Sequence, residues 1–118
     1  MSDAGTIFGR LMAVIHNRKL RPRPDSYTTR LLDDGVEAIG AKITEEAAEV
    51  VEAAVEPGEE GQRHLVHEAA DLIYHLFVML EHRDVTLVEV EAELTRRFGT
   101  SGLAEKASRS AAQPPETS

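Results

Sequence analysis

The chain has 118 residues, a formal net charge of −8 and no cysteine. This length predicts one domain with a modest core, and the aromatic content of 4% without tryptophan indicates that aliphatic side chains fill that core. The lack of cysteine excludes disulfides and thiolate metal sites, and the acidic charge argues against nucleic acid as a partner.

Apolar residues recur at helical spacing from the start of the chain. Residues 7–15 predict an amphipathic helix that ends before a loop at residues 17–27, where Pro22 and Pro24 exclude helix. Residues 28–32 predict a short turn of helix. A long second helix follows from residue 36 until Pro57-Gly58 stops it.

Two capping-box patterns mark helix starts in the sequence. Asp34 with Glu37 predicts a cap for the second helix, and Thr86 with Glu89 predicts the cap of a fourth helix that stops near Gly99. Between them, a third helix is predicted from residues 59–62 to about residue 83.

The chain carries no strand pattern and no internal repeat, so the sequence predicts an all-α helical bundle with four main helices. The third helix is apolar around most of its circumference, which predicts that a homodimer completes the core. We expect a single domain over residues 1–109 and a disordered tail over residues 110–118. The lack of a secretory signal and of a membrane-length apolar run predicts a cytoplasmic protein without membrane association.

Two acidic pairs, Glu46-x-x-Glu49 and Glu68-x-x-Asp71, fall in the second and third helices. Residues three apart share one face of a helix, so the packing of these two helices would bring four carboxylates together. Such a cluster is repulsive unless some groups hold protons or a divalent cation neutralises them. Ligand sets made only of oxygen favour Mg²⁺, and a metal-dependent reaction on phosphates is the leading interpretation.

The apolar faces of these helices indicate where each acid points. Glu46 lies about 70° from the centre of the apolar face of the second helix, and Glu68, Asp71 and His75 share one side of the mostly apolar third helix. Unpaired carboxylates there would cost several kcal/mol, which supports a ligand role. We expect His75 to be a core histidine with satisfied hydrogen bonds.

Other charged residues are more simply explained by solvent. The acids that lie opposite the apolar face of the second helix and the histidines at the start of the third are expected at the surface; they include Glu52, His64 and His67. Residues 1–30 hold six of the thirteen basic residues, which would suit an anionic phosphate substrate or form a solvated charged loop.

The acidic motifs, separated by about twenty residues, resemble those of the all-α nucleotide pyrophosphohydrolases, the MazG-like superfamily. Further segments narrow the resemblance to the phosphoribosyl-ATP pyrophosphohydrolase family of histidine biosynthesis: Ser26-Tyr27-Thr28, Leu31-Leu32 and residues 42–50, 68–76 and 102–109. Thr44 and residues 110–118 depart from the family pattern. Nothing resembles the cyclohydrolase domain that is fused to this module in some organisms, so a stand-alone enzyme is expected.

The resemblance implies hydrolysis of the α–β phosphoanhydride of phosphoribosyl-ATP to phosphoribosyl-AMP and pyrophosphate. It implies Mg²⁺ as the cofactor, held by Glu46, Glu49, Glu68 and Asp71. The candidate catalytic residues are Glu45, as a general base acting through a second metal or a water, and Lys42, as a phosphate contact. The further candidates for binding the substrate phosphates are Arg30, Lys106, Arg109, Tyr27 and Thr28. The resemblance also agrees with a homodimer, whose active site could use residues of both subunits.

Three other functions stay open. A sister enzyme that hydrolyses an ordinary or damaged dNTP needs the same metal site. A carboxylate-bridged di-iron bundle normally needs Glu-x-x-His pairs, and Asp71 occupies the position where such a histidine would fall. A non-catalytic helical dimerisation module would leave the acids of the third helix unexplained.

Overall fold

The computed structural model describes residues 6–98, most of which lie in five helices. The helices are α1 (Ile7–Leu20), α2 (Tyr27–Asp34), α3 (Val36–Ala54), α4 (Gly58–His82) and α5 (Leu87–Phe98). No strand occurs between residues 6 and 98, and the all-α fold class is confirmed. Within the same residues, no helix has the length and apolar character needed to span a membrane.

The chain divides into two units, one up to Val85 and one from Thr86 onward. In the first unit, α3 and α4 make the largest helix–helix contact. Only residues 55–57 separate them, so the two helices run antiparallel as a hairpin. In the second unit, α5 begins with the capping box predicted from the sequence: the Thr86 hydroxyl accepts from the Glu89 amide at 3.1 Å, and the Glu89 carboxylate accepts from the Thr86 amide at 2.8 Å.

The hydrophobic core occupies one half of the hairpin. Its largest fully buried side chains are those of Ile15 in α1, Ile39 in α3 and Val78 in α4. Phe8 packs edge-on against Phe77, with the ring centroids 5.9 Å apart. The helices α1 and α2 therefore cover the half of the hairpin in which the start of α3 meets the end of α4.

The other half of the hairpin carries exposed apolar side chains. Val51 and Val55, at and just after the end of α3, are 66% and 80% exposed, and Val66 in the first half of α4 is 70% exposed. The single chain thus leaves apolar surface on both α3 and α4.

Two boundaries differ from the sequence-based prediction. The end predicted for α1, before residue 17, is wrong, because the helix continues to Leu20 and its first disfavoured position is Arg21, directly before Pro22. The turn predicted at residues 28–32 is a helix of two turns, α2, in which the Ser26 hydroxyl accepts from the Thr29 amide at 3.2 Å.

The cap predicted from Asp34 and Glu37 is also wrong. Asp34 is the last residue of α2, and Gly35 ends α2 and precedes α3 with φ of 91°, while α3 has no side-chain cap. A residue in this backbone conformation is best a glycine, because a Cβ atom would be strained there. Gly35 thus forms the junction between α2 and α3, where the sequence pattern predicted a side-chain cap from Asp34.

Candidate active site

Three of the four predicted metal ligands meet where α3 packs on α4. Glu46 and Glu49 lie one turn apart on α3, and Glu68 faces them from α4. One carboxylate oxygen from each lies within 4.8 Å of the others. Glu46 and Glu68 are only 6% and 8% exposed, whereas Glu49 is half-buried. The position of Glu46 agrees with the small angle between its direction and the apolar face of α3.

Asp71, the fourth predicted ligand, adjoins this cluster through Glu68. The structure groups Asp71 with Glu68 and His67, again within 4.8 Å of one another. The charge of Asp71 also reaches Glu46, where it helps to raise the pKa of that carboxyl group. Glu68 is therefore the residue shared by two adjoining sets of possible ligands. We refer to Glu46, Glu49, Glu68 and Asp71 as the acidic cluster.

Repulsion within the acidic cluster determines its protonation. Burial, followed by the charges of Asp71 and the other acids, raises the pKa of Glu46 to about 7. The pKa of Glu49 is raised chiefly by a hydrogen bond that its protonated form makes to Glu68. Burial acts to raise the pKa of Glu68, but hydrogen bonds from Glu49, Glu46 and His64 lower it overall. The cluster therefore favours protonation of Glu46 and Glu49 and ionisation of Glu68, the acceptor of their hydrogen bonds.

Two buried oxygens of the acidic cluster lack a hydrogen-bond donor. They are Oε1 of Glu46 and Oε1 of Glu68, considered among the atoms of the residues that the structure describes. A buried carboxylate oxygen without a donor is unfavourable by about 1–3 kcal/mol. A divalent cation would satisfy both oxygens and neutralise the cluster, and a set of carboxylate ligands suits Mg²⁺. The residues present therefore fit such an ion.

Two histidines contact the acidic cluster. The surface position predicted for His67 is confirmed, whereas His64 is half-buried. His64 lies between two acids: its Nε2 is 3.1 Å from Glu68 and its Nδ1 is 3.0 Å from Glu56. Hydrogen bonding to Glu56 is the main cause of its raised pKa. The Nε2 atom of His67, whose side chain is 70% exposed, lies 3.3 Å from Asp71. Each histidine stands four residues before its acid, and this spacing in the sequence was a usable signal.

The candidate catalytic residues form an ion pair on the neighbouring surface of α3. Lys42 donates to Glu45 at 3.1 Å, and the side chain of Glu45 is 55% exposed. This hydrogen bond is the main cause of the raised pKa of Lys42, and the proximity of Tyr27 is the next. The structure thus holds a cation and a carboxylate together, one turn before Glu46 and Glu49.

The substrate-binding candidates of α2 differ in their surroundings. The Tyr27 hydroxyl lies 3.1 Å from Nε2 of His75, whose Nδ1 lies 2.9 Å from the carbonyl oxygen of Asp71. The Thr28 hydroxyl is hydrogen-bonded to the hydroxyl of Tyr74. Arg30 is exposed. His75 is 5% exposed with both ring nitrogens engaged, which agrees with the expected core histidine. The candidates Lys106 and Arg109 lie outside the described residues.

Comparison with known proteins agrees with the motifs. Residues 8–98 match the family "Phosphoribosyl-ATP pyrophosphohydrolase". A protein of Rhodopirellula baltica named phosphoribosyl-ATP pyrophosphatase is 55% identical over 86% of this chain and 85% of its own length. Proteins of the same name from Novosphingobium aromaticivorans and Rhodobacter capsulatus are 50% and 49% identical, over 92% and 88% of this chain and 98% of their own lengths. The chain therefore belongs to the phosphoribosyl-ATP pyrophosphohydrolase family of hydrolases.

Proposed function

We propose that the protein hydrolyses the α–β phosphoanhydride of phosphoribosyl-ATP in a Mg²⁺-dependent reaction, which gives phosphoribosyl-AMP and pyrophosphate in histidine biosynthesis. The observation that carries the metal dependence is the acidic cluster, with three carboxylates within 4.8 Å and two buried oxygens without donors. Membership of a family named for this substrate supports the choice of phosphoribosyl-ATP.

In this proposal, Glu46, Glu49, Glu68 and Asp71 hold the cation. A bound Mg²⁺ supplies charge neutralisation of the phosphate oxygens and lowers the pKa of a coordinated water. The protein's own task is to place the ligands before the substrate arrives, and helices that pack in a hairpin do this better than loops. Such chemistry depends mainly on positioning and charge stabilisation.

Lys42 and Glu45 have complementary roles in the proposal. The Lys42 ammonium group lies on the exposed side of the cluster, where it can contact a phosphate oxygen. Glu45 is the proposed general base for the attacking water, since its side chain is 55% exposed and lies one residue before Glu46.

We also propose that the protein forms a homodimer through α3 and α4. The exposed valines of the uncovered half of the hairpin support this, because isolated monomers rarely leave such surface in water. Analytical ultracentrifugation at micromolar concentration tests the proposal. A well-folded species near the 13.0 kDa of one chain would refute it.

Pyrophosphate release measures the proposed activity directly. The protein is incubated with and without Mg²⁺ and with a panel of phosphoribosyl-ATP and ordinary dNTPs. We expect rapid release from phosphoribosyl-ATP with Mg²⁺, and a loss of at least a hundredfold in Glu68→Gln, which removes the shared ligand. Glu60→Gln is the matched control, because Glu60 is exposed in the first turn of the same helix.

The outcomes separate the proposal from its rivals. Preferential hydrolysis of a dNTP would show that the protein is a dNTP pyrophosphatase with the same metal site, and would refute the choice of phosphoribosyl-ATP. Full activity in the presence of a chelator would refute the role of the cation. A protein that binds Mg²⁺ in calorimetry but hydrolyses none of the panel would refute the substrate and keep the metal site.

A further inference from the structure

Tyr27, His75 and Asp71 form a chain of hydrogen bonds that leads from α4 to the surface of α2. The Nδ1 atom of His75 is 2.9 Å from the Asp71 carbonyl oxygen, one turn earlier on α4. The Nε2 atom of the same ring is 3.1 Å from the Tyr27 hydroxyl. His75 is 5% exposed and Tyr27 is 43% exposed, so the chain begins in the core and ends in solvent.

The chemistry of the groups fixes the direction of this chain. A carbonyl oxygen only accepts, so Nδ1 of His75 carries the hydrogen and donates it to Asp71. A neutral imidazole has one N–H, which leaves Nε2 as an acceptor for the Tyr27 hydroxyl. His75 is buried, and its two hydrogen-bond partners, a backbone carbonyl and a hydroxyl, are uncharged, so its contacts suit the neutral ring. The Tyr27 O–H bond therefore points inward, and its remaining lone pair points away from His75.

The Tyr27 ring is held in place on two sides. It stacks on Tyr74 with the ring centroids 6.3 Å apart and meets His75 edge-on at 6.0 Å. Tyr27 also lies near enough to Lys42 to influence the pKa of that side chain. The hydroxyl oxygen of Tyr27, in a side chain that is partly exposed, is thus a fixed hydrogen-bond acceptor near the proposed catalytic pair, and His75 links it to Asp71.

We propose that Tyr27, oriented by His75, binds a hydrogen-bond donor of the nucleotide, a sugar hydroxyl or a base amino group, and does not bind phosphate. An oxygen that presents only a lone pair repels the oxygens of a phosphate, whereas a hydroxyl or amino group completes its hydrogen bonding. This assignment differs from the phosphate contact that the family resemblance suggested for Tyr27. It rests on the proposed function only in taking a nucleotide as the ligand.

Calorimetry with nucleoside monophosphates tests the proposal, because these ligands need no turnover. In the presence of Mg²⁺, Tyr27→Phe is expected to weaken the binding of AMP about three- to tenfold, as the loss of one hydrogen bond between neutral groups would. The 2′- and 3′-deoxy forms of AMP, together with IMP, separate the two sources of the donor. The analogue that lacks the recognised donor should bind wild type and Tyr27→Phe equally.

Inorganic pyrophosphate supplies the opposite test. If Tyr27→Phe weakens the binding of pyrophosphate as much as the binding of AMP, Tyr27 contacts phosphate and the proposal is overturned. Unchanged affinity for every nucleotide, or no binding of any nucleotide to the wild type, also overturns it. Failure to hydrolyse phosphoribosyl-ATP bears on the proposed function alone, since none of these measurements depends on that reaction.

Substitutions of His75 test its role as the positioning residue. His75→Leu removes the hydrogen-bond acceptor of the Tyr27 hydroxyl. It is expected to lower the affinity for AMP as much as Tyr27→Phe does, and the double variant should lose no more affinity than either single variant. His75→Gln keeps an acceptor for the Tyr27 hydroxyl and should restore affinity. In turnover, KM should rise with little change in kcat. Glu60→Gln is the control, because Glu60 is exposed in the first turn of α4, outside this chain of hydrogen bonds. Equal losses in folded His75→Gln and His75→Leu would contradict the orientation role.

Discussion

The most direct test of the energetics of the acidic cluster is Glu46→Gln. Burial and the neighbouring acids raise the pKa of Glu46 from 4.5 to about 7. At about 1.4 kcal/mol per pH unit, this difference corresponds to at most about 3.5 kcal/mol. Solvent near the half-buried Glu49 screens the charges and reduces the expected effect to about 1–2 kcal/mol. Glutamine has nearly the same shape as glutamate but carries no charge, so Glu46→Gln removes this destabilising contribution.

The sign of the effect follows from linkage. The folded protein holds the proton on Glu46 more tightly than the unfolded chain, so no penalty exists below about pH 4.5. The penalty grows as the pH rises from 4.5 to about 7 and is constant above that. Without metal, Glu46→Gln should therefore match the wild type near pH 4.5 and exceed its stability by about 1–2 kcal/mol at pH 8.

The assay is urea unfolding at several pH values, in a chelator and in Mg²⁺. A cation present at a hundred times its Kd stabilises the wild type by about 2.7 kcal/mol, and the variant should lose most of this gain. Glu52→Gln, on an exposed position of the same helix, controls for the change in net charge. A variant that is less stable than the wild type by the same amount at every pH, or that keeps the full effect of Mg²⁺, would refute the reasoning.

Three further predictions concern the acidic cluster, the helix contacts and the substrate. Asp71→Asn should abolish Mg²⁺-dependent pyrophosphate release while thermal stability without metal is kept or raised, as calorimetric scanning can show. Lys19 donates to the carbonyl oxygen of Glu81 at 2.9 Å, at the end of α4. Lys19→Met should therefore lower the free energy of unfolding by about 1 kcal/mol. An unchanged midpoint of urea unfolding would contradict this prediction. Arg18 lines a cavity of about 220 Å³. Arg18→Gln should raise KM for phosphoribosyl-ATP about tenfold and leave dNTP hydrolysis unchanged. Equal losses of activity on both substrates would show that Arg18 contacts the triphosphate or stabilises the fold.

The helices and the acidic cluster could be predicted because their signals are periodic and local. Residues three apart on a helix share a face whatever the tertiary structure, so Glu46 and Glu49 had to lie together. The burial of Glu46 and Glu68 followed from apolar neighbours at the same angles. The pairing of α3 with α4 needed only the short connection at Pro57-Gly58 and two complementary faces.

The misplaced features depend on contacts between distant segments. The last turn of α1 is polar in sequence, but Lys19 in that turn bonds to the end of α4, sixty-two residues away. Gly35 replaced the predicted cap because two helices meet at one residue, a circumstance that no capping motif records. His64 looked like a surface residue because its role depends on both Glu56 and Glu68.

The placement of the core explains how one small unit holds a repulsive cluster. The polar contacts of α1 and α2 with α4 reach its last third: His16 lies 2.6 Å from Glu81, and Tyr27 bonds to His75. Glu68 lies one to two turns before this region and is held by the helix itself. The repulsion among the acids is therefore opposed by packing elsewhere in the hairpin, and a cation bound at the proposed site would relieve it. Metal binding should consequently raise stability far more than it changes helix content, and far-ultraviolet circular dichroism recorded with and without Mg²⁺ should differ little.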